Sequence, residues 1–258
     1  MSPPLRIVSL VPSLTELVCE LGLLPALVGR TGFCIHPREA LRAVPKVGGT
    51  KDVDIDKVRT LAPTHLIVNV DENEKPTVDA LARFVPNVVV THPIEVADNF
   101  ELYERFGRLF GCEVRAAELS ARLREVIGRV TAQSFAPLPV LYLIWRKPWM
   151  TVSADTYIAK MLRMVGLQAI APDSGDRYPV VDFASFDARR AATVLLSSEP
   201  YRFTDEHCRQ MRADPSIGVA DVRLIDGEMT SWYGSRVIDG LDYLLAFRRR
   251  LDDDGVRR

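Results

Sequence analysis

The chain has 258 residues, of which 47% are hydrophobic and 26% charged, with a formal net charge of -1. This composition excludes an intrinsically disordered chain, and the absence of excess positive charge argues against a nucleic-acid partner. No apolar run approaches the roughly 18 residues that a membrane-crossing helix needs, so the chain does not read as membrane-spanning.

The opening stretch, "MSPPLRIVSLVPS", has no basic region ahead of an apolar segment and does not read as a secretory signal. A cytoplasmic protein is expected for the chain as written, or a periplasmic or extracytoplasmic one if this is a mature form. "RIVSLV" is the first predicted strand, and Ser13 with Glu16 three residues on has capping-box spacing for a following helix. "ALVGRT", "HLIVNV" and "NVVVTH" are the next buried strands, with helical patterns between them. From Gly111 to Gln133 runs an uninterrupted helical pattern with Ala117, Ala121, Leu123, Val126, Ile127 and Val130 at core spacing. "PVLYLIW", "QAIA", "TVLLSS" and "VRLID" repeat the strand series beyond it.

The two series share a grammar. "CELGLLPALVG" is echoed by "LRMVGLQAIAP", a helix end, a glycine and a short strand; "TLAPTHLIV" is echoed by "RRAATVLLS". Alternating strands and helices imply parallel sheets covered on both faces. The expectation is an α/β protein of two Rossmann-like lobes, 1–110 and 134–258, joined by one long helix at 111–133, with the ligand cleft between the lobes. A rigid helical connector implies a largely preformed cleft and a change of only a few degrees between free and bound forms. The four cysteines form no close CxxC pair, so neither a zinc knuckle nor a redox motif is expected.

Open parallel sheets bind ligands beyond the carboxyl ends of their strands. The loops there carry Pro12 and Ser13; Phe33, Cys34 and His36; Asn69, Asp71, Glu72 and Asn73; His92; Trp145 and Trp149; Glu199 and Tyr201; and Trp232 and Tyr233. These are the candidate ligand-binding residues. All three tryptophans fall among them, and aromatic pairs offer flat, rigid surface to a planar ligand. "DEN" is alternatively a solvated helix-capping loop, Glu199 a surface acid, and the tryptophans edge packing. His65 reads as structural and His207 as solvent-exposed on a polar helix. Ser153 and Asp155 read as a helix start. No GxSxG elbow, P-loop or GxGxxG follows a strand, so no enzyme is expected.

In "RIVSLVPSLTELVCELG", "VGGTKDVDIDKVRTLAPTHLIV", "PWMTVSADTYIAKMLRMVG" and "SSEPYRF" the chain resembles the helical-backbone periplasmic binding proteins, and within them the cobalamin-binding branch. The resemblance implies a non-catalytic receptor for a corrinoid, acting with an ABC import permease. No cofactor is required, the corrinoid itself being the ligand, and a monomer is expected. Siderophore, haem or metal-ion receptors of the same fold, or a cytoplasmic corrinoid carrier or sensor, are the alternatives. Members present an acid on each lobe for permease docking; in the first lobe Glu72 or Glu74 could serve although the aligned position holds Lys75, and in the second the matching position holds Gly234, which puts docking in doubt.

"FCIHP" frames the remaining question. Extended backbone would put Cys34 and His36 on one side. A closed zinc site would also need His92 and the acids of "DEN", and a cleft-lining loop without metal contact is the bland alternative. With a corrinoid bound, His36 is expected as an axial ligand to its cobalt, imidazole nitrogen being a suitable donor.

Overall fold

The computed structural model describes residues 4–256; the outermost ends of the expected lobes, residues 1–3 and 257–258, lie outside the described residues. Four parallel strands, β1 (Ile7–Ser9), β2 (Leu27–Arg30), β3 (His65–Asn69) and β4 (Asn87–Thr91), form a sheet in the order β2-β1-β3-β4. Helices α1 (Pro12–Glu20), α2 (Ile55–Leu61), α3 (Lys75–Ala82) and α4 (Asp98–Phe110) connect and cover it. Val8, Leu10, Val58, Leu66, Val68 and Leu81 fill the interior on one side. The runs of apolar residues in these strands are what a sheet buried on both faces demands.

After α4, Gly111 turns the chain at a φ of 68°, a left-handed conformation that glycine adopts without steric cost. The long helix α5 (Glu113–Thr131) follows. Its buried stripe is Ala116, Leu119, Leu123, Val126 and Val130. Ala117 and Ala121, expected inside, are exposed. Alanine is too small and too tolerant of water to fix the phase of a stripe by itself.

A second sheet contains β5 (Leu138–Trp145), the two-residue antiparallel β6 (Met150–Thr151), β7 (Leu167–Ala169), β8 (Thr193–Ser197) and β9 (Val222–Ile225). β5 carries β7 on one side and β8 on the other, and β9 lies beyond β8. The parallel strands thus stand in the order second, first, third, fourth along the chain, the same order as in the first sheet. Helices α6 (Tyr157–Arg163), α7 (Asp205–Ala213), α8 (Gly227–Ser231) and α9 (Arg236–Val256) complete this half. Leu141, Leu143, Val194, Leu196, Val222, Phe203 and Met211 pack together in it. The echo seen in the sequence is structural: Gly22 and Gly166, at φ of 78° and 73°, stop α1 and α6 ahead of β2 and β7.

The chain divides into two compact units. Unit 1 comprises residues up to Pro93, Ala97–Arg122 and the short segment Tyr233–Arg236; unit 2 comprises Ile94–Val96, Leu123–Trp232 and the chain from Val237 onward. The segment at 233–236 is built firmly into unit 1. Tyr103 Oη donates to Gly234 O at 2.8 Å, Gly234 N to Asn99 Oδ1 at 2.7 Å, and Arg236 Nε to Glu16 Oε2 at 2.8 Å. In unit 2, Arg248 is almost wholly buried and donates to Val165 O at 3.2 Å, Ala136 O at 3.0 Å and Asp252 Oδ1 at 3.0 Å.

Two helix starts differ from expectation. Val11, not Ser13, is the N-cap of α1, because Pro12 with its fixed φ occupies the first helical turn. Glu16, freed from any capping role, pairs with Arg236 instead. α6 is capped by Thr156, whose Oγ1 accepts from Ala159 N at 3.3 Å, while Ser153 hydrogen-bonds Asp155 just upstream.

Candidate ligand-binding site

A strand order of second, first, third, fourth reverses direction between the first and third strands, and open α/β sheets bind ligands outside the carboxyl ends at such a switch point. In unit 1 this point lies between β1 and β3, and in unit 2 between β5 and β8. The four loops leaving these strands hold eleven of the sixteen candidate residues: Pro12, Ser13, Asn69, Asp71, Glu72, Asn73, Trp145, Trp149, Glu199 and Tyr201 directly, and Tyr233 by its contact with Glu72.

In unit 1 the β3 loop is knitted by its own amides. Asn69 N donates to Asn73 Oδ1 at 2.9 Å, Asp71 N to Asn69 Oδ1 at 2.8 Å, and Asn73 Nδ2 to Thr50 O at 3.1 Å and Leu10 O at 3.3 Å. Both asparagines are buried, so they shape the loop, and the carboxylates are what it displays. Asp71 Oδ1 lies 3.4 Å from His92 Nε2. Glu72 Oε1 accepts from Tyr233 Oη at 2.7 Å. Burial first, and the Glu72 carboxylate second, hold the Tyr233 hydroxyl well above its ordinary pKa, and the Ser13 hydroxyl stands beside it.

The stretch after β2, which contains "FCIHP", turns at Gly32 and Phe33 and bends at His36 and Pro37. The segment around Cys34 and His36 is thus not the uniformly extended one on which the two were expected to share a side. Cys34 is 0% exposed, its Sγ 3.0 Å from Thr15 Oγ1 and 3.1 Å from Thr31 Oγ1, and burial pushes its thiol pKa up. A neutral thiol packed among threonine hydroxyls is a core group. Phe33, 62% exposed, Ile35, 39% exposed, and half-buried His36 are among the side chains this loop presents. Among the described residues no three His, Cys, Asp or Glu side chains are grouped to hold a metal ion, so the four-ligand zinc arrangement has no donor set.

Unit 2 presents an aromatic surface. Trp145 is 39% exposed, with its ring edge-on to Tyr201 at 5.6 Å. Trp149 stacks parallel on buried Phe203 at 5.9 Å and meets Phe183 edge-on. His207 is no exposed helix residue: it accepts from Thr204 N at 3.0 Å and packs edge-on against Tyr201 and Phe203. Phe203 and His207 are members of the cluster that the sequence reading left out. The spacing in "YRF" held the signal, since alternate residues of an extended segment share a face.

Glu199 and Trp232 also meet within unit 2. Trp232 Nε1 donates to Glu199 Oε1 at 2.7 Å, and Ser231 Oγ to the same oxygen at 2.8 Å. Trp232 is 7% exposed, so its indole serves here as an anchor. Burial raises the Glu199 carboxyl pKa, these two donors lower it, and Glu228 and Asp226 raise it again, leaving it above the ordinary carboxylate value. A carboxyl raised in the folded chain binds its proton more tightly there than in the unfolded chain. Its contribution therefore favours folding as pH falls through the raised value and opposes folding at neutral pH. Glu199→Gln, which keeps an acceptor for both donors, is expected to melt higher than the parent at about pH 8, with the gap narrowing as the pH is lowered. Thermal melts from about pH 8 downward test this; a Gln form less stable than the parent at the upper end refutes it.

The positions where resemblance places docking acids hold Lys75, paired with Asp79 at 2.7 Å, and Gly234, which at a φ of 75° packs on Ser13 and Leu17. A side chain at 234 would be strained and crowded there, so glycine at this place follows from the packing of unit 1.

Comparison with known proteins agrees with this architecture. Residues 7–217 match the family model described as periplasmic binding protein. The vitamin B12-binding protein of Photorhabdus laumondii is 23% identical over 196 residues, 75% of this chain and 71% of that protein. Among solved structures, the periplasmic vitamin B12 binding protein BtuF of Vibrio cholerae superposes with a TM-score of 0.78 at 18% identity, covering 95% and 96% of the two chains. The apo periplasmic heme-binding protein RhuT from Roseiflexus sp. RS-1 superposes with a TM-score of 0.80 at 20% identity, covering 96% and 99%. No described helix is long and apolar enough to cross a membrane. With a family model matched over most of its length and two parallel α/β units bearing their loops at equivalent switch points, the chain belongs to the periplasmic binding protein family.

Proposed function

We propose that the chain captures a corrinoid of the vitamin B12 type and delivers it, chemically unchanged, to an ABC import system. The observation that carries this reading is the aromatic surface at the switch point of unit 2. Trp145 and Tyr201 stand at it, and Trp149 is fixed behind them by its stack on Phe203. A wide, flat, amphipathic macrocycle suits rigid aromatic faces flanked by a few polar groups. In unit 1, the strand-end loops carry Phe33, His36, Asp71 and His92. Names borne by relatives support a macrocyclic metal chelate as the class, since they include vitamin B12 and heme binding. The chelate is cargo, and its metal comes with it.

His36 is assigned as the axial ligand to the corrinoid cobalt. Its loop is closed by Pro37 and its ring is half-exposed, so it can coordinate without unfolding its surroundings. Gel filtration of the protein with hydroxocobalamin, followed by the visible spectrum of the protein peak, tests both statements. Co-elution with an altered corrinoid spectrum is expected, and His36→Ala is expected to restore the spectrum of the free cofactor and weaken retention. Absence of co-elution defeats the corrinoid reading. Co-elution with identical spectra and affinity for His36→Ala defeats only the axial assignment.

A further inference from the structure

Three cations stand at the carboxyl ends of β5 and β8. Arg146 and Lys147 lie in the short hairpin closed by the pairing of Trp145 with Met150. Arg202 follows Tyr201, whose ring touches Trp145. Lys147 and Arg202 are exposed and Arg146 is partly so. Neither Lys147 nor Arg202 takes part in an ion pair among the described residues.

Their setting is built. Arg146 is held by Nη2 donating to Gln210 Oε1 at 3.2 Å, with its guanidinium carbon 5.6 Å from the Trp149 ring centre. Lys147 has a φ of 66°, a region that side-chain-bearing residues avoid and glycine does not. A lysine standing where the backbone favours glycine is consistent with use of its side chain. Two glutamates nearby are occupied. Glu206 accepts from Arg209 at 2.6 Å and Gln210 at 2.9 Å, and Glu199 is turned to Ser231 and Trp232. The surface therefore joins flat aromatic area to uncompensated positive charge.

We infer that unit 2 selects its ligand by a peripheral oxyanion: the aromatic faces take the macrocycle, and Arg146, Lys147 and Arg202 take a carboxylate or phosphate at its rim. This rests on the reading of the site as a macrocycle receptor. Neutral amide substituents alone would leave these charges without an anionic partner, whereas charge-assisted hydrogen bonds to an oxyanion are stronger than neutral ones. Two sources of the shared chemistry exist, a phosphodiester on a corrinoid and propionates on a porphyrin.

Titration of the full chain with matched pairs tests this. Dicyanocobalamin is compared with dicyanocobinamide, which lacks the nucleotide loop with its phosphodiester and has the same axial ligands. Salt dependence and the charge variants separate the phosphodiester from the rest of the loop. Haemin is compared with its dimethyl ester. The oxyanion-bearing member of at least one pair is expected to bind about tenfold more tightly, and the pair that shows it identifies the source. The preference is expected to shrink at high salt and to be largely lost in Lys147→Gly and Arg202→Gln. Lys147→Gly should melt no lower than the parent, since glycine suits that φ. Equal affinity within both pairs, or a preference that survives both substitutions, overturns the inference while leaving the macrocycle reading intact. Failure of all four compounds to bind removes the macrocycle reading and this inference with it.

Discussion

Trp149→Ala is expected to lower the melting temperature by about 5–10 °C, whereas Trp145→Ala should leave it within about 2 °C and instead weaken ligand binding. The two tryptophans lie four residues apart in one hairpin, and their surroundings separate their roles. Trp149 stacks on Phe203 and meets Phe183 within the core cluster of unit 2. Removing a buried indole costs about 3–5 kcal/mol; for a partly buried one about 2–3 is reasonable, and each kcal/mol shifts a chain of this size by about 2–4 °C. Trp145, by contrast, has one edge on Tyr201 and much of its face in solvent. Its loss should cost about 1–3 kcal/mol of binding free energy, the range for an aromatic anchor. Melting curves and a hydroxocobalamin titration of both variants check this. If Trp145→Ala binds as the parent does, the aromatic surface is not the ligand platform.

The second large effect concerns Arg248. Its guanidinium reaches the carbonyls of Val165 and Ala136 and the Asp252 carboxylate from the face of α9. Arg248→Ala removes three charge-assisted donors and leaves the Val165 carbonyl buried without that partner. A buried acceptor stripped of its donor costs about 1–3 kcal/mol, and the lost packing over the Phe135 ring adds to it. A total of about 3 kcal/mol is expected by denaturant titration. Arg248→Lys should recover less than half of it, because an ammonium cannot reproduce the planar fork. A variant within about 0.5 kcal/mol of the parent would show that the clamp contributes nothing to stability.

Much of the architecture was legible in the sequence because burial on both faces leaves an unmistakable mark. The eight longer strands stand where "RIVSLV", "HLIVNV", "PVLYLIW" and their counterparts lie, and two glycines mark equivalent helix ends. The two-residue β6 was not legible, since it has no periodicity to read. In α5 the expected Leu123, Val126 and Val130 are buried while Ala117 and Ala121 are exposed, because neighbouring alanines such as Ala116 and Ala117 are equivalent in hydrophobicity and packing alone chooses between them.

The candidate site was legible as a set of loops, since strand ends fix where loops leave, but not as a set of side-chain orientations. Cys34 turns inward because Thr15, a helix residue nineteen positions earlier, offers it a hydroxyl. Trp232 turns to Glu199, thirty-three positions earlier, and Tyr233 to Glu72. Such long-range hydrogen bonds leave no local trace. The assignment of Ser13 as a cap failed for a different reason: two local preferences competed, and the proline at the first helical turn prevailed.

The placement of residues 233–236 within unit 1 has a consequence for how the protein is made. A ribosome releases the rest of unit 1 once residue 122 has emerged, but the strip that bonds to Asn99, Tyr103, Glu72 and Glu16 lies roughly 110 residues further on. At translation rates of about 5–20 residues per second, the nascent first half waits about 5–20 s with the seat for that strip open. Through this interval its polar rim meets only water, and the first half cannot reach full stability before nearly all of the second has been synthesised.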